Sequence, residues 1–160
     1  MFINYIAMVI SAIISGLVGQ EIVYETSKSI FHSITNILSH EHPVINSILS
    51  DLDIPAQIKL IRSIVTEVEN GISSINRNKT LALSLEQLDD IVKIVSKQIS
   101  IIKEGIAYHD TLWLSGWRTP DYETEIEQLK KQKNIMNQRL DNLIKVVQIT
   151  NQLSKLNHQN

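Results

Sequence analysis

Between Leu85 and Trp113 the residues that can be buried fall three and four apart without a miss. They are Leu85, Leu88, Val92, Val95, Ile99, Ile102, Ile106, His109 and Trp113. A half-buried strand would alternate every second residue, so this spacing dictates a helix with one face covered along its whole length. A seam that long needs partners of comparable length. A second stripe of Ile91, Ile94, Ile101, Tyr108 and Leu112 predicts a wider buried face and more than one neighbour, at the centre of the fold. Ser84-Leu85-Glu86-Gln87 has capping-box spacing and predicts the helix start at Ser84.

The remaining punctuation is helical too. His40-Glu41-His42-Pro43 ends a first helical pattern that runs from about Phe2 to Ser39, in which Gly16 and Gly19 are potential kinks, and Pro43 opens a short helical piece over residues 44–49. Asp53-Ile54-Pro55 reads as an N-cap with a first-turn proline, leading into a seam of Ile58, Ile61, Val65, Val68, Ile72 and Ile75. Residues 76–80 read as a loop. Ser115-Gly116-Trp117-Arg118-Thr119-Pro120 is a turn with Thr119 as N-cap, and Asp121, Glu123 and Glu125 suit the positive end of the following helix. That last helix carries Tyr122, Ile126, Leu129, Met136, Leu140, Leu143 and Val147, with Lys133 interrupting the seam.

No strand alternation of useful length occurs. The expected fold is all-α: an antiparallel helical bundle in which residues 84–117 and 120–153 form a long C-terminal hairpin. It packs on residues 54–75 and on a long hydrophobic N-terminal helix. The expected organisation is a hydrophobic segment 1–20, a helical body 21–156 and a frayed tail 157–160.

The first charged side chain in the chain is Glu21. Twenty uncharged residues make a helix of about 30 Å, the thickness of a bilayer's hydrocarbon core, and their mean hydropathy is about 2. The expectation is a membrane anchor formed by Phe2, Ile3, Ile6, Val9, Ile10, Ile13, Ile14, Leu17 and Val18. Ala7, Ser11, Ser15 and Gly19 recur every four residues and would let a second helix approach closely, so self-association through this stripe or through the last helix is a further expectation. No Lys or Arg precedes the apolar run, so a cleaved leader is not expected. The alternative is a core helix buried among its own neighbours.

Chemistry-bearing groupings are scarce. Cysteine is absent, which excludes disulfides and thiolate metal sites. A net charge of −2 without a basic run, and no aromatics interleaved with Lys130-Lys131-Gln132-Lys133, argue against nucleic acid. His40 and His42 lack further convergent ligands, and Asp89-Asp90 reads as a solvated helix face. No nucleophile pairs with a base, so neither an enzyme nor a cofactor is expected. Both tryptophans, Trp113 and Trp117, lie one turn apart beside His109 and Arg118. These four residues are the candidate partner-binding corner, the alternative being that they simply fill the turn between two long helices.

The stretch Tyr108-His109-Asp110, then Trp113-Leu114-Ser115-Gly116-Trp117-Arg118, with Glu127-Gln128-Leu129-Lys130-Lys131 and Asn137-Gln138-Arg139-Leu140-Asp141-Asn142-Leu143-Ile144-Lys145, resembles small uncharacterised helical proteins of large nucleocytoplasmic DNA viruses. The resemblance spans the C-terminal hairpin, under half the chain. It implies a viral origin and a place in the virion or its membrane, with no catalytic residues and no cofactor. The functional expectation is a non-enzymatic structural or interaction protein, membrane-associated through residues 1–20 in the virion or a host membrane, with unnamed protein partners. A soluble, cytoplasmic helical adaptor or inhibitor that captures a partner's helix in a groove is the alternative.

Overall fold

The computed structural model describes the backbone of residues 2–39, 42–71, 79–112 and 122–157, and side chains from residue 19 onward within them, apart from 154, 156 and 157. Everything regular in these residues is helix: α1 (Phe2–Leu38), α2 (Pro43–Asp51), α3 (Ile54–Asn70), α4 (Lys79–Thr111) and α5 (Glu123–Asn157). The all-α expectation holds, and no strand occurs among the described residues.

Helix α1 is continuous through Gly16 and Gly19. Its described half buries Val23, Ser27, Ile30, Ile34 and Ile37, again three and four apart. Helix α3 buries Ile54, Ile58, Ile61, Val65 and Val68, as its seam predicts, and ends at Gly71; Ile72 and Ile75 lie outside the described residues. The α4 seam from Leu85 to Ile106 is buried throughout, and α5 contributes Leu129, Met136, Leu140 and Leu143. These side chains form one core shared by the five described helices. Each fully buried isoleucine contributes about 1.5–3 kcal/mol of transfer free energy to it.

Helix α4 packs chiefly on α5 and α1, while α3 lies against α1 and α5, and α2 against α3 and α4. Placing the longest seam between two long neighbours explains why α4 buries so many residues, eleven in all.

Several local expectations need correction. Helix α4 begins at Lys79, not Ser84, and the Ser84 hydroxyl donates to the Thr80 carbonyl at 2.8 Å instead of capping. Leu81 is wholly buried, and covering it draws one more turn into the helix. Asp53 does occupy the N-cap of α3, but with φ 53° and no side-chain capping bond. Its left-handed backbone closes the turn after α2, and a cap side chain reaches the first amides only from an extended backbone.

Asp89 is not solvated: it is 6% exposed, whereas Asp90 is exposed. The second α4 stripe is not buried as a unit either. Ile91 is covered, but Ile94, Ile101 and Tyr108 are 46%, 43% and 68% exposed. With neighbours on both flanks of its seam, α4 turns that stripe outward. The turn residues Gly116, Thr119 and Pro120 lie outside the described residues. Among the described residues no helix is long and apolar enough to cross a membrane. The side chains of residues 2–18, on which the anchor expectation falls, lie outside that description.

Candidate functional site

The expected partner-binding corner begins at the C-terminal end of α4. Gly105 sits there one turn before His109, and a Cβ at Gly105 would stand 3.2 Å from Cε1 of Tyr122. The missing side chain is what lets the Tyr122 ring lie against α4 just before α5 begins. The Tyr122 carbonyl in turn accepts the Ile126 amide at 2.9 Å, starting α5. This end of the fold is therefore closed by an aromatic ring on a glycine.

His109 follows on the same face of α4, with its side chain 16% exposed. Its Nδ1 lies 3.8 Å from Asp110 Oδ1, while its Nε2 is enclosed and has no hydrogen-bond partner among the described residues. The Tyr122 hydroxyl is likewise enclosed, without a hydrogen-bond partner among the described residues. Burial, then the negative charges of Asp110 and Glu125, raise the Tyr122 pKa above its ordinary 10.0.

The other Asp110 oxygen faces α2. His42 Nε2 stands 3.9 Å from Asp110 Oδ2, a polar approach too long for a hydrogen bond. His42 Nδ1 accepts the Val44 amide at 3.3 Å and so caps α2. Accepting at Nδ1 assigns the ring hydrogen to Nε2, on the side that faces Asp110. One exposed carboxylate thus stands between two imidazoles, His42 from the start of α2 and His109 from its own helix.

Chemically this arrangement is poor in catalytic options. Among the described residues no three His, Cys, Asp or Glu side chains converge as metal ligands. The adjoining concavity, about 610 Å³, is open and lined by Glu123, Thr124, Glu127, Gln128 and Lys131, all on one face of α5. Its openness gives it no enclosed cavity.

Of the four residues expected here, the structure places His109. Trp113, Trp117 and Arg118 lie outside the described residues. The anchor positions Phe2, Ile3, Ile6, Val9, Ile10, Ile13, Ile14, Leu17 and Val18 are all in the helical backbone of α1. Sequence reasoning missed Gly105 and Tyr122 as a pair, and His42 as a cap. A lone glycine inside a long helical pattern was the available signal for the first. Histidine is outside the usual capping set, so nothing announced the second.

The chain is similar to an uncharacterised protein of Acanthamoeba polyphaga mimivirus. The two are 25% identical over 164 aligned positions, which cover 88% of this chain and 79% of the viral protein. The likeness to proteins of large nucleocytoplasmic DNA viruses therefore runs through most of the chain, well beyond the C-terminal hairpin that first suggested it. No protein-family model matches the chain. No solved structure matches it either.

Proposed function

We propose that this chain is a viral, non-enzymatic interaction protein. Its helices form an antiparallel bundle with a C-terminal hairpin, fastened to a virion or host membrane by residues 1–20, and the bundle presents surfaces to protein partners.

A change of character along one face of α1 carries this reading. In the described half, the line opposite the buried seam is Glu21, Glu25, Lys28 and His32, all exposed. Eighteen residues are five turns of helix, so the same line in the first half is read eighteen positions earlier. There the sequence has Ile3, Ala7, Ile10 and Ile14. The buried line, Val23, Ser27, Ile30, Ile34 and Ile37, corresponds in the same way to Tyr5, Val9, Ala12, Gly16 and Gly19. Going toward the start of the chain, the charged solvent register thus becomes wholly apolar, with Ile3, Ile10 and Ile14, while three of the five core-register positions, Ala12, Gly16 and Gly19, are small. A helix with that inversion needs an apolar surrounding of its own, which a bilayer supplies.

The test is flotation with lipid vesicles, comparing the full chain with one lacking residues 1–20. The full chain is expected to float and the shortened one to remain soluble, folded and helical. Should removal of residues 1–20 unfold the domain, the segment is core and the adaptor reading takes over.

A further inference from the structure

The outward stripe of α4 has a pattern that recognises itself. Ile94, Ile101 and Tyr108 are spaced by sevens, fall within about 40° of one another around the helix axis, and are all exposed. Between them stand Lys97 and Glu104, both exposed. Neither makes an ion pair or hydrogen bond with another described residue, unlike Lys93, which is bonded to Asp89. At one end the stripe is stopped by the exposed Asp90, and at the other by the end of α4.

We propose that this face is the contact between two copies of the chain, with the two α4 helices antiparallel about a two-fold axis at Ile101. In that arrangement a position k residues after Ile101 lies opposite the one k residues before it in the second copy. Ile101 then meets Ile101 of the second copy, and Ile94 meets Tyr108. Lys97 falls level with Glu104 to within one residue, about 1.5 Å of rise, and symmetry makes that contact twice. A parallel pair would instead set lysine on lysine and glutamate on glutamate, which like-charge repulsion opposes. Charge therefore selects the second copy and its direction together. Three apolar layers are short of a standard interface, so the dimer is weak and concentration-dependent.

The chain has no cysteine of its own, so single cysteines report geometry cleanly. The full chain in a mild detergent is used, which separates this test from the behaviour of residues 1–20. Under mild oxidation Ile101→Cys is expected to form a disulfide-linked dimer. Ile94→Cys is expected to cross-link to Tyr108→Cys in a mixture but not to itself. In sedimentation equilibrium, Lys97→Glu or Glu104→Lys alone should weaken the dimer roughly tenfold, and the double variant K97E/E104K should restore it. Cross-linking of Ile94→Cys to itself, a monomer at every concentration, or no rescue by the double variant would overturn the proposal.

Discussion

Gly105 and Tyr122 pack at a distance where one added methyl group is felt: a Cβ on the glycine comes 3.2 Å from the ring. Two effects then oppose each other in Gly105→Ala. Alanine inside a helix is worth about 1 kcal/mol over glycine, and the crowded ring takes part of that back. In a double-mutant cycle, Gly105→Ala should stabilise the Tyr122→Ala chain by about 1 kcal/mol and the natural chain by distinctly less. Urea denaturation measures both. Equal effects in the two backgrounds would show that the ring does not rest on Gly105.

Tyr122 also makes a pH prediction. Its folded pKa lies above the ordinary 10.0, through burial first and then the carboxylates of Asp110 and Glu125. The folded chain holds this proton at pH values where the unfolded chain has begun to release it. The stability it contributes is therefore complete below pH 10.0 and is lost as pH rises through the folded value. Tyr122→Phe should remove a component of phenolate absorbance that appears above pH 10.0 and flatten the decline of stability at high pH. Superimposable profiles for the two proteins would contradict this.

The buried end of Asp89 depends on one lysine. Lys93 Nζ donates to Asp89 Oδ2 at 2.7 Å, while Asp89 Oδ1 is enclosed and has no hydrogen-bond partner among the described residues. Lys93→Met leaves a carboxylate without its charged partner among the described residues and should cost about 1–3 kcal/mol. Asp89→Leu, which removes the carboxylate and keeps the bulk, should cost less or stabilise. The order of the two variants in chemical denaturation is the readout, and the reverse order would refute the account of this pair.

Isoleucines of the same helix should behave oppositely according to their face. Ile99→Ala, at a position 1% exposed, should cost about 2–5 kcal/mol. Ile101→Ala, measured at concentrations where the chain is monomeric, should stay within about 0.5 kcal/mol. Comparable losses at both sites would mean that the outer stripe is covered after all.

That contrast marks where sequence reasoning stops. The spacing of Ile58, Ile61, Val65 and Val68, or of Leu85 through Ile106, announces a helix and names its buried line, because period and burial have the same cause. Ile94, Ile101 and Tyr108 follow the same period, yet periodicity names faces and not neighbours. Only the placement of α1 and α5 beside α4 decides which of two apolar lines is covered. Ser84 and Asp89 were misjudged for a related reason. Local capping chemistry gave way to the burial of Leu81, and a carboxylate adjoining the polar face was turned inward against Lys93. At the end of α4, His109 was singled out from sequence, while the packing of Tyr122 on Gly105 and the approach of His42 to Asp110 depend on contacts between elements far apart in the chain.

The most direct measurement of the central claim uses the full chain carrying Ile10→Lys and Ile14→Lys, two positions in the outward register of α1. Vesicle flotation and thermal unfolding followed by helical circular dichroism are recorded on the same sample. The account predicts that flotation is lost while helix content and the unfolding midpoint stay those of the natural chain. Retained flotation, or collapse of the fold with the lysines in place, would contradict it.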